Sequence, residues 1–356
     1  MEKFKAFLKR KDIEISLKRY GIDALGAMAQ GLFCSLLIGT IINTIGTQFG
    51  IEFLTTPVAT VAGVEYTVGG IATAMSGPAM AVAIGYALKC PPLVLFSMIA
   101  VGFASNALGG AGGPLAVLFV AIIAAEIGKM VSKETKVDIL VTPLVTIGVG
   151  IFFSWLIAPP LGRAAMWVGN LIMWATELQP FLMGILVSVV VGMALTLPIS
   201  SAAICAALQL TGLAGGAAVA GCCAQMIGFA AISFKENRWG GLISQGIGTS
   251  MLQMPNIVRK PIVWLPPILA SAVLGPISAK VLGMVCGPVG TGMGTSGLVG
   301  QIVTYQTMAA AGTGSGIILA EIILMHVAAP AVLTLLFASF MRRKGWIQSG
   351  DLKLDI

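Results

Sequence analysis

Residues 93–125 read LVLFSMIAVGFASNALGGAGGPLAVLFVAIIAA, without one charged side chain. The run divides at GGAGG, residues 109–113, into two apolar arms. Each approaches the length of about 20 residues that a helix needs to cross the hydrocarbon core of a bilayer. The rest of the chain repeats this pattern, with a second uncharged run over 180–233. Of 356 residues, 57% are hydrophobic and only 10% charged, against roughly 25% charged in a soluble domain. Mean hydropathy is +0.97. The fold class is therefore an all-α polytopic membrane protein of about ten membrane segments.

Outward from that run, helices are expected over 23–45, 69–88, 92–108, 114–130 and 139–158, the last ending at Pro159–Pro160. The N-terminal twenty residues are basic and amphipathic, with seven Lys/Arg between positions 3 and 19. No small-residue cleavage site follows a short apolar core, so no cleaved leader is expected. Arg342, Arg343, Lys344 and Lys353 form a second basic cluster. Basic flanks stay inside, which puts both termini in the cytoplasm together with Lys89 and the loop KMVSKETKVD at 129–138. The N-terminal cationic side is expected along the cytoplasmic leaflet of the lipid bilayer. No basic aromatic patch points to nucleic acid.

Residues 161–178, LGRAAMWVGNLIMWATEL, place Arg163, Asn170 and Glu177 on one narrow helical stripe, with Trp167 and Trp174 near its edge. This reads as an amphipathic interfacial linker. It separates a scaffold domain over 21–160 from a second membrane domain over 179–341, with a cytoplasmic tail over 342–356. In that second domain only 180–197, 262–285 and 316–341 read as uninterrupted spans. GLAGGAAVAG (212–221) and GGLISQGIGTS (240–250) are expected to break the backbone. Irregular backbone at membrane depth is tolerated where it lines a cavity, and broken helices commonly build transporter binding sites.

The stretch GPVGTGMGTSGLVGQ, 287–301, contains a formal GxGxxG. A dinucleotide fold needs a preceding strand and a later acidic residue, whereas here an apolar span precedes and the next carboxylate is Glu321 inside an apolar helix. Two readings remain: glycines for close helix packing, or a re-entrant hairpin tip lining a substrate cavity. Thr291, Thr295, Ser296 and Gln301 offer neutral donors and acceptors suited to a polyhydroxy ligand.

The run GIGTSMLQMPNIVRKPIVWLPPILASAVLGPISAK (246–280), continued by GPVGTGMGTSGLVGQI (287–302), resembles the sugar permease subunit IIC of the bacterial phosphotransferase system. The similarity extends over nearly the whole chain and is strongest to the branch with toxin-regulator (perfringolysin-regulator-like) membrane proteins. The resemblance implies a homodimeric scaffold, a linker and an elevator-type transport domain with two re-entrant hairpins. It also implies a small sugar-like substrate, soluble phosphocarrier partners and the bacterial cytoplasmic membrane. The sugar-phosphorylating members carry a His in a glycine-flanked loop and a Glu in a hairpin tip. The comparable positions by eye are Ala214 and Gly297, and the chain's one histidine is His326. Uptake coupled to phosphate transfer is what the resemblance implies, uncoupled or ion-coupled movement is what the missing His favours, and no phosphorylatable domain is read in the chain. A ligand-sensing membrane regulator without transport is the alternative.

Glu321 is the leading candidate for a substrate or proton role, because a carboxylate in an apolar helix is costly. His326 lies five residues on, about 140° around the helix from Glu321, and reads as structural. Gln225 sits alone in an apolar run and must bond either a helix end or a ligand. Gln245, Thr249, Gln253 and Asn256 fall at helical spacing and form a possible wet face, while Glu126 and Lys129 read as an interfacial ion pair. The six cysteines form no CxxC, and neither a metal site nor any other cofactor is suggested.

Overall fold

The structure is a computed structural model that describes residues 2–354. Six helical stretches are long and apolar enough to cross a membrane: Arg19–Phe49, Pro92–Val131, Asp138–Thr176, Gly212–Ile232, Pro261–Val281 and Ser315–Arg343. A bent pair, Val68–Ala74 with Ser76–Ala87, makes a seventh when taken as one. The chain is thus an all-helical, multi-pass membrane protein. It divides into two compact units, Met1–Gly39 with Glu52–Ala164, and Thr40–Ile51 with Ala165–Ile356.

In the first unit the expected helix over 69–88 is broken, with its two halves inclined by 52°. Pro78 lies in the first turn of the second half and has no amide proton for the backbone before it, so the break falls at Met75. The decisive apolar run folds as read. Pro92–Gly109 and Gly113–Val131 are separate helices packed on each other around a turn at Gly110–Gly112. At 1.5 Å per residue each spans about 27 Å, close to the hydrocarbon thickness. A small antiparallel hairpin, unforeseen in the sequence, pairs Ala59–Val61 with Val64–Tyr66. Its turn residues Ala62 and Gly63 both have positive φ, the geometry that matches strand twist.

The expected stop at Pro159–Pro160 does not occur. Asp138–Thr176 is one helix of 39 residues that continues through Pro143, Pro159 and Pro160. Each proline removes only its own amide from the ladder, and the neighbouring bonds continue the helix. The amphipathic character is nonetheless present in its second half: Arg163, Asn170 and Glu177 are exposed, while Ala165, Ile172 and Ala175 are buried.

In the second unit GLAGGAAVAG does not interrupt the chain. It opens the continuous helix Gly212–Ile232, the most buried of the six membrane-length stretches. Its glycines serve contact with neighbouring backbone. A Cβ on Gly221 would lie 2.0 Å from the Ser188 carbonyl oxygen, and one on Gly216 would lie 2.0 Å from that of Met284. Pro180–Thr196 and Leu265–Pro276 close on this helix. At the crossing the Ser188 hydroxyl donates to the Ser271 carbonyl (2.7 Å), and the Ser271 hydroxyl donates to the Gly221 carbonyl (3.2 Å). Small residues allow this approach, and interhelical hydrogen bonds hold it where no water competes.

GGLISQGIGTS does break the backbone. A π-turn over Ser244–Gly248 gives way to extended Thr249, then to short turns over Ser250–Gln253 and Met254–Arg259. The suggested wet face is dry: Gln245, Thr249, Gln253 and Asn256 are all buried. Gln253 donates to Gln245 (2.8 Å) and Asn256 donates to Gln253 (2.8 Å). The network ends on the C-terminal segment, where Gln253 donates to the Leu352 carbonyl and Asn256 to that of Lys353. Glu236 and Asn237 hold the same segment through the amides of Gly350, Leu352 and Leu354. The tail is therefore part of the second unit's packing.

One carboxylate fastens this tail electrostatically. Burial works to raise the Asp351 pKa, but the Lys260 ammonium (2.6 Å) and the Gln348 amide (2.6 Å) prevail and lower it from its ordinary value. A carboxylate with a depressed folded-state pKa contributes stability above its unfolded pKa of about 4 and loses it as pH falls through the folded value. Proteolysis of the 345–354 segment is expected to be slow at pH 7 and to accelerate under acid, with an acid-stable protease used throughout. Asp351→Asn should already show the faster cleavage at pH 7.

Candidate functional site

The site is built around the 287–301 loop. A helix precedes it where a dinucleotide site would need a strand. After the short turn Pro288–Thr291 the backbone reverses through left-handed Gly294, Gly297 and Leu298, then enters the helix Val299–Ala310. The reversal is tight: a Cβ on Gly300 would lie 2.2 Å from the Gly294 carbonyl oxygen. The close packing offered as one alternative in the sequence is present in this loop. At Gly297, φ is +54°, which disfavours any residue with a side chain.

The candidate residues divide into two sets. Gln225 is fully buried and its amide is engaged by neighbouring helices. Its oxygen accepts from the Trp264 indole (2.8 Å) and the Thr196 hydroxyl (3.3 Å), and its nitrogen donates to Ser271 (3.4 Å). It resolves in this conformation as a structural junction between helices. Thr291 likewise donates to the carbonyls of Leu210 and Gly287, and Thr295 to the Met226 sulfur. The second set keeps polar atoms in reserve. The Ser296 hydroxyl, Gln301 Oε1 and Glu321 Oε2 are buried and meet no hydrogen-bond partner. Such groups are uncommon in folded proteins, because desolvation without a compensating bond costs on the order of 1–3 kcal/mol.

His326 belongs with this set, although the sequence reading left it as structural. It is fully buried, and its Nδ1 lies 3.4 Å from Gln301 Nε2. The same amide nitrogen lies 3.4 Å from the Cys223 sulfur. With both amide hydrogens directed to those acceptors, Nδ1 accepts and the remaining proton is on Nε2. Nε2 is then a buried donor without an acceptor, and the Gln301 oxygen is separately a buried acceptor without a donor. The helical spacing that separated His326 from Glu321 could not show this pairing, because Gln301 approaches from another helix. A local signal was present in Pro330. Its missing amide leaves the His326 carbonyl without the usual donor, and the helix widens into a π-turn over Leu324–Ala328.

A multi-pass helical chain whose second unit encloses unpaired polar groups between short, broken helices has the construction of a membrane transport component. The family model described as "Phosphotransferase system, EIIC" matches residues 22–354. The chain belongs to this EIIC family and is a membrane component of sugar transport. No curated protein and no solved structure matches it.

Proposed function

We propose that the second unit binds and moves a sugar or another small polyhydroxylated metabolite, and that Ser296, Gln301 and Glu321 contact it together with His326. The observation that carries this reading is the unsatisfied pair, His326 Nε2–H and Gln301 Oε1. A sugar carries several hydroxyl groups, each able to accept and to donate, so its hydroxyls can serve both kinds of unpaired group. The EIIC family supplies the substrate class. The toxin-regulator branch, a homodimer built on residues 21–160, re-entrant hairpins and an elevator-type movement of the second unit complete the proposal. Both termini then face the cytoplasm of a bacterium, where soluble phosphocarrier subunits would meet the chain. Glu321 is the group expected to exchange a proton if movement is ion-coupled, since the chain's one histidine is in an apolar helix and Gly297 occupies the comparable glutamate position.

Uptake of labelled sugars and polyols into proteoliposomes tests this, with and without a pH gradient and with and without soluble phosphocarrier proteins. The expected result is uptake of at least one compound driven by the pH gradient alone, and loss of that component in Glu321→Gln. Uptake only with phosphocarrier proteins would overturn the ion-coupled part. Binding without flux in every condition would replace transport with ligand sensing.

A further inference from the structure

We propose that the first unit carries a binding site for a phosphate group at one end of its helices, and that an anionic phospholipid headgroup fills it. A cavity of about 390 Å³ is lined there by Arg10, Lys11, Lys89, Lys129 and Lys133 together with Asp12 and Glu134. Five cations face two carboxylates, and both carboxylates are already engaged. Asp12 pairs with Arg19 (2.9 Å), and Glu134 pairs with Arg10 (2.7 Å) and with Lys11. Lys129 is almost wholly buried and is held by Glu126 (2.8 Å) and by the carbonyls of Asp12 and Leu88. That leaves Lys89 and Lys133, both exposed, which close no ion pair with any carboxylate among the described side chains. Asp138 accepts from the Lys133 amide (2.6 Å) at the edge of the cavity, and the lining itself carries five cations against two carboxylates.

The backbone around it reinforces this reading. Asp12, Lys89 and Lys133 all hold left-handed conformations, with φ of 52°, 56° and 62°. Each is the left-handed residue that ends a helix, Glu2–Arg10, Ser76–Ala87 or Gly113–Val131, so three helix ends converge on the cavity. Its position fits a headgroup: Lys89 and Pro91 join the helices Ser76–Ala87 and Pro92–Gly109, and Ser132–Glu134 follow the helix Gly113–Val131. The lining thus lies at the ends of membrane-length apolar helices, where a headgroup would meet it if these helices cross the bilayer. Basic pockets between helix ends are a known means of holding anionic headgroups.

Native mass spectrometry of the full chain in neutral detergent tests the site, with phosphatidylglycerol or phosphatidylcholine of the same acyl chains as probes. Phosphatidylglycerol should be retained in preference. Removing two interfacial charges in Lys89→Gln/Lys133→Gln should weaken it about thirtyfold. The control Lys344→Gln/Lys353→Gln should leave retention unchanged. Amine acylation of the unmodified protein provides a second readout that needs no variant: phosphatidylglycerol should slow labelling of Lys89 and Lys133 and phosphatidylcholine should not. Equal retention of the two lipids, or equal retention by the two double variants, would overturn the proposal. Protection by inorganic phosphate without retention of phosphatidylglycerol would keep a phosphate site but overturn the lipid as its occupant.

Discussion

Gly221→Ala is expected to destabilise the protein by on the order of 3 kcal/mol or more, and to leave little folded material after purification. The added methyl would lie 2.0 Å from the Ser188 carbonyl oxygen and 2.6 Å and 2.7 Å from the carbonyl carbon and Cα of the same residue. Backbone cannot move aside as a flexible side chain does, so two helices would have to separate. Separation would also stretch the hydrogen bond from Ser271 to the Gly221 carbonyl and the one from Ser188 to the Ser271 carbonyl. Gly240→Ala is the matched control, because a Cβ there meets nothing within 4 Å. It should shift stability by no more than about 0.5 kcal/mol. Apparent melting temperatures in detergent, followed by tryptophan fluorescence, compare the two. Equal melting temperatures would refute the close-packing role of the Gly212–Ile232 helix.

The second large effect concerns Gln301 and His326. Gln301→Leu and His326→Leu should each weaken binding of the transported sugar or polyol by about 10–100-fold, the loss expected for one or two hydrogen bonds desolvated in a closed site. The double variant Gln301→Leu/His326→Leu should lower the melting temperature of the ligand-free protein little, because it removes both partners of their mutual bond together with the polar atoms that lack partners. This combination separates a ligand role from a structural one. If the two polar groups existed to hold the helices Val299–Ala310 and Ser315–Arg343 together, the double variant would melt lower with or without ligand. Gln225→Leu should show that second pattern, since all of its bonds are to neighbouring helices.

The fold was readable wherever a run of apolar residues ended at a strong local signal. GGAGG at 109–113 fell between two helices because consecutive glycines allow a reversal that few other residues tolerate. The same residue type misled at 212–221. Sequence shows that glycine is present but not what lies opposite, and opposite Gly216 and Gly221 lies another helix's backbone. Pro159–Pro160 misled for a related reason, since the preference of proline to end a helix yields to the apolar surroundings that favour continued intrahelical bonding. The 287–301 loop and its polar residues stood out in the sequence as a candidate site. The division between satisfied Gln225, Thr291 and Thr295 and unsatisfied Ser296, Gln301 and Glu321 was not, because hydrogen-bond partners up to 81 residues apart determine it. The contact of His326 with Gln301, 25 residues earlier, was not legible because it joins two different helices.

The crossing of Pro180–Thr196, Gly212–Ile232 and Leu265–Pro276 has a mechanical consequence. Helices that touch through long side chains can shear past one another, because rotamers change and cushion the movement. Here Gly184, Gly221 and Gly275 bring backbone against backbone, and no compliant layer remains to absorb a slip. Displacing one of the three helices must carry the other two along, so any flexing that a working cycle demands has to come from the irregular segments beyond them.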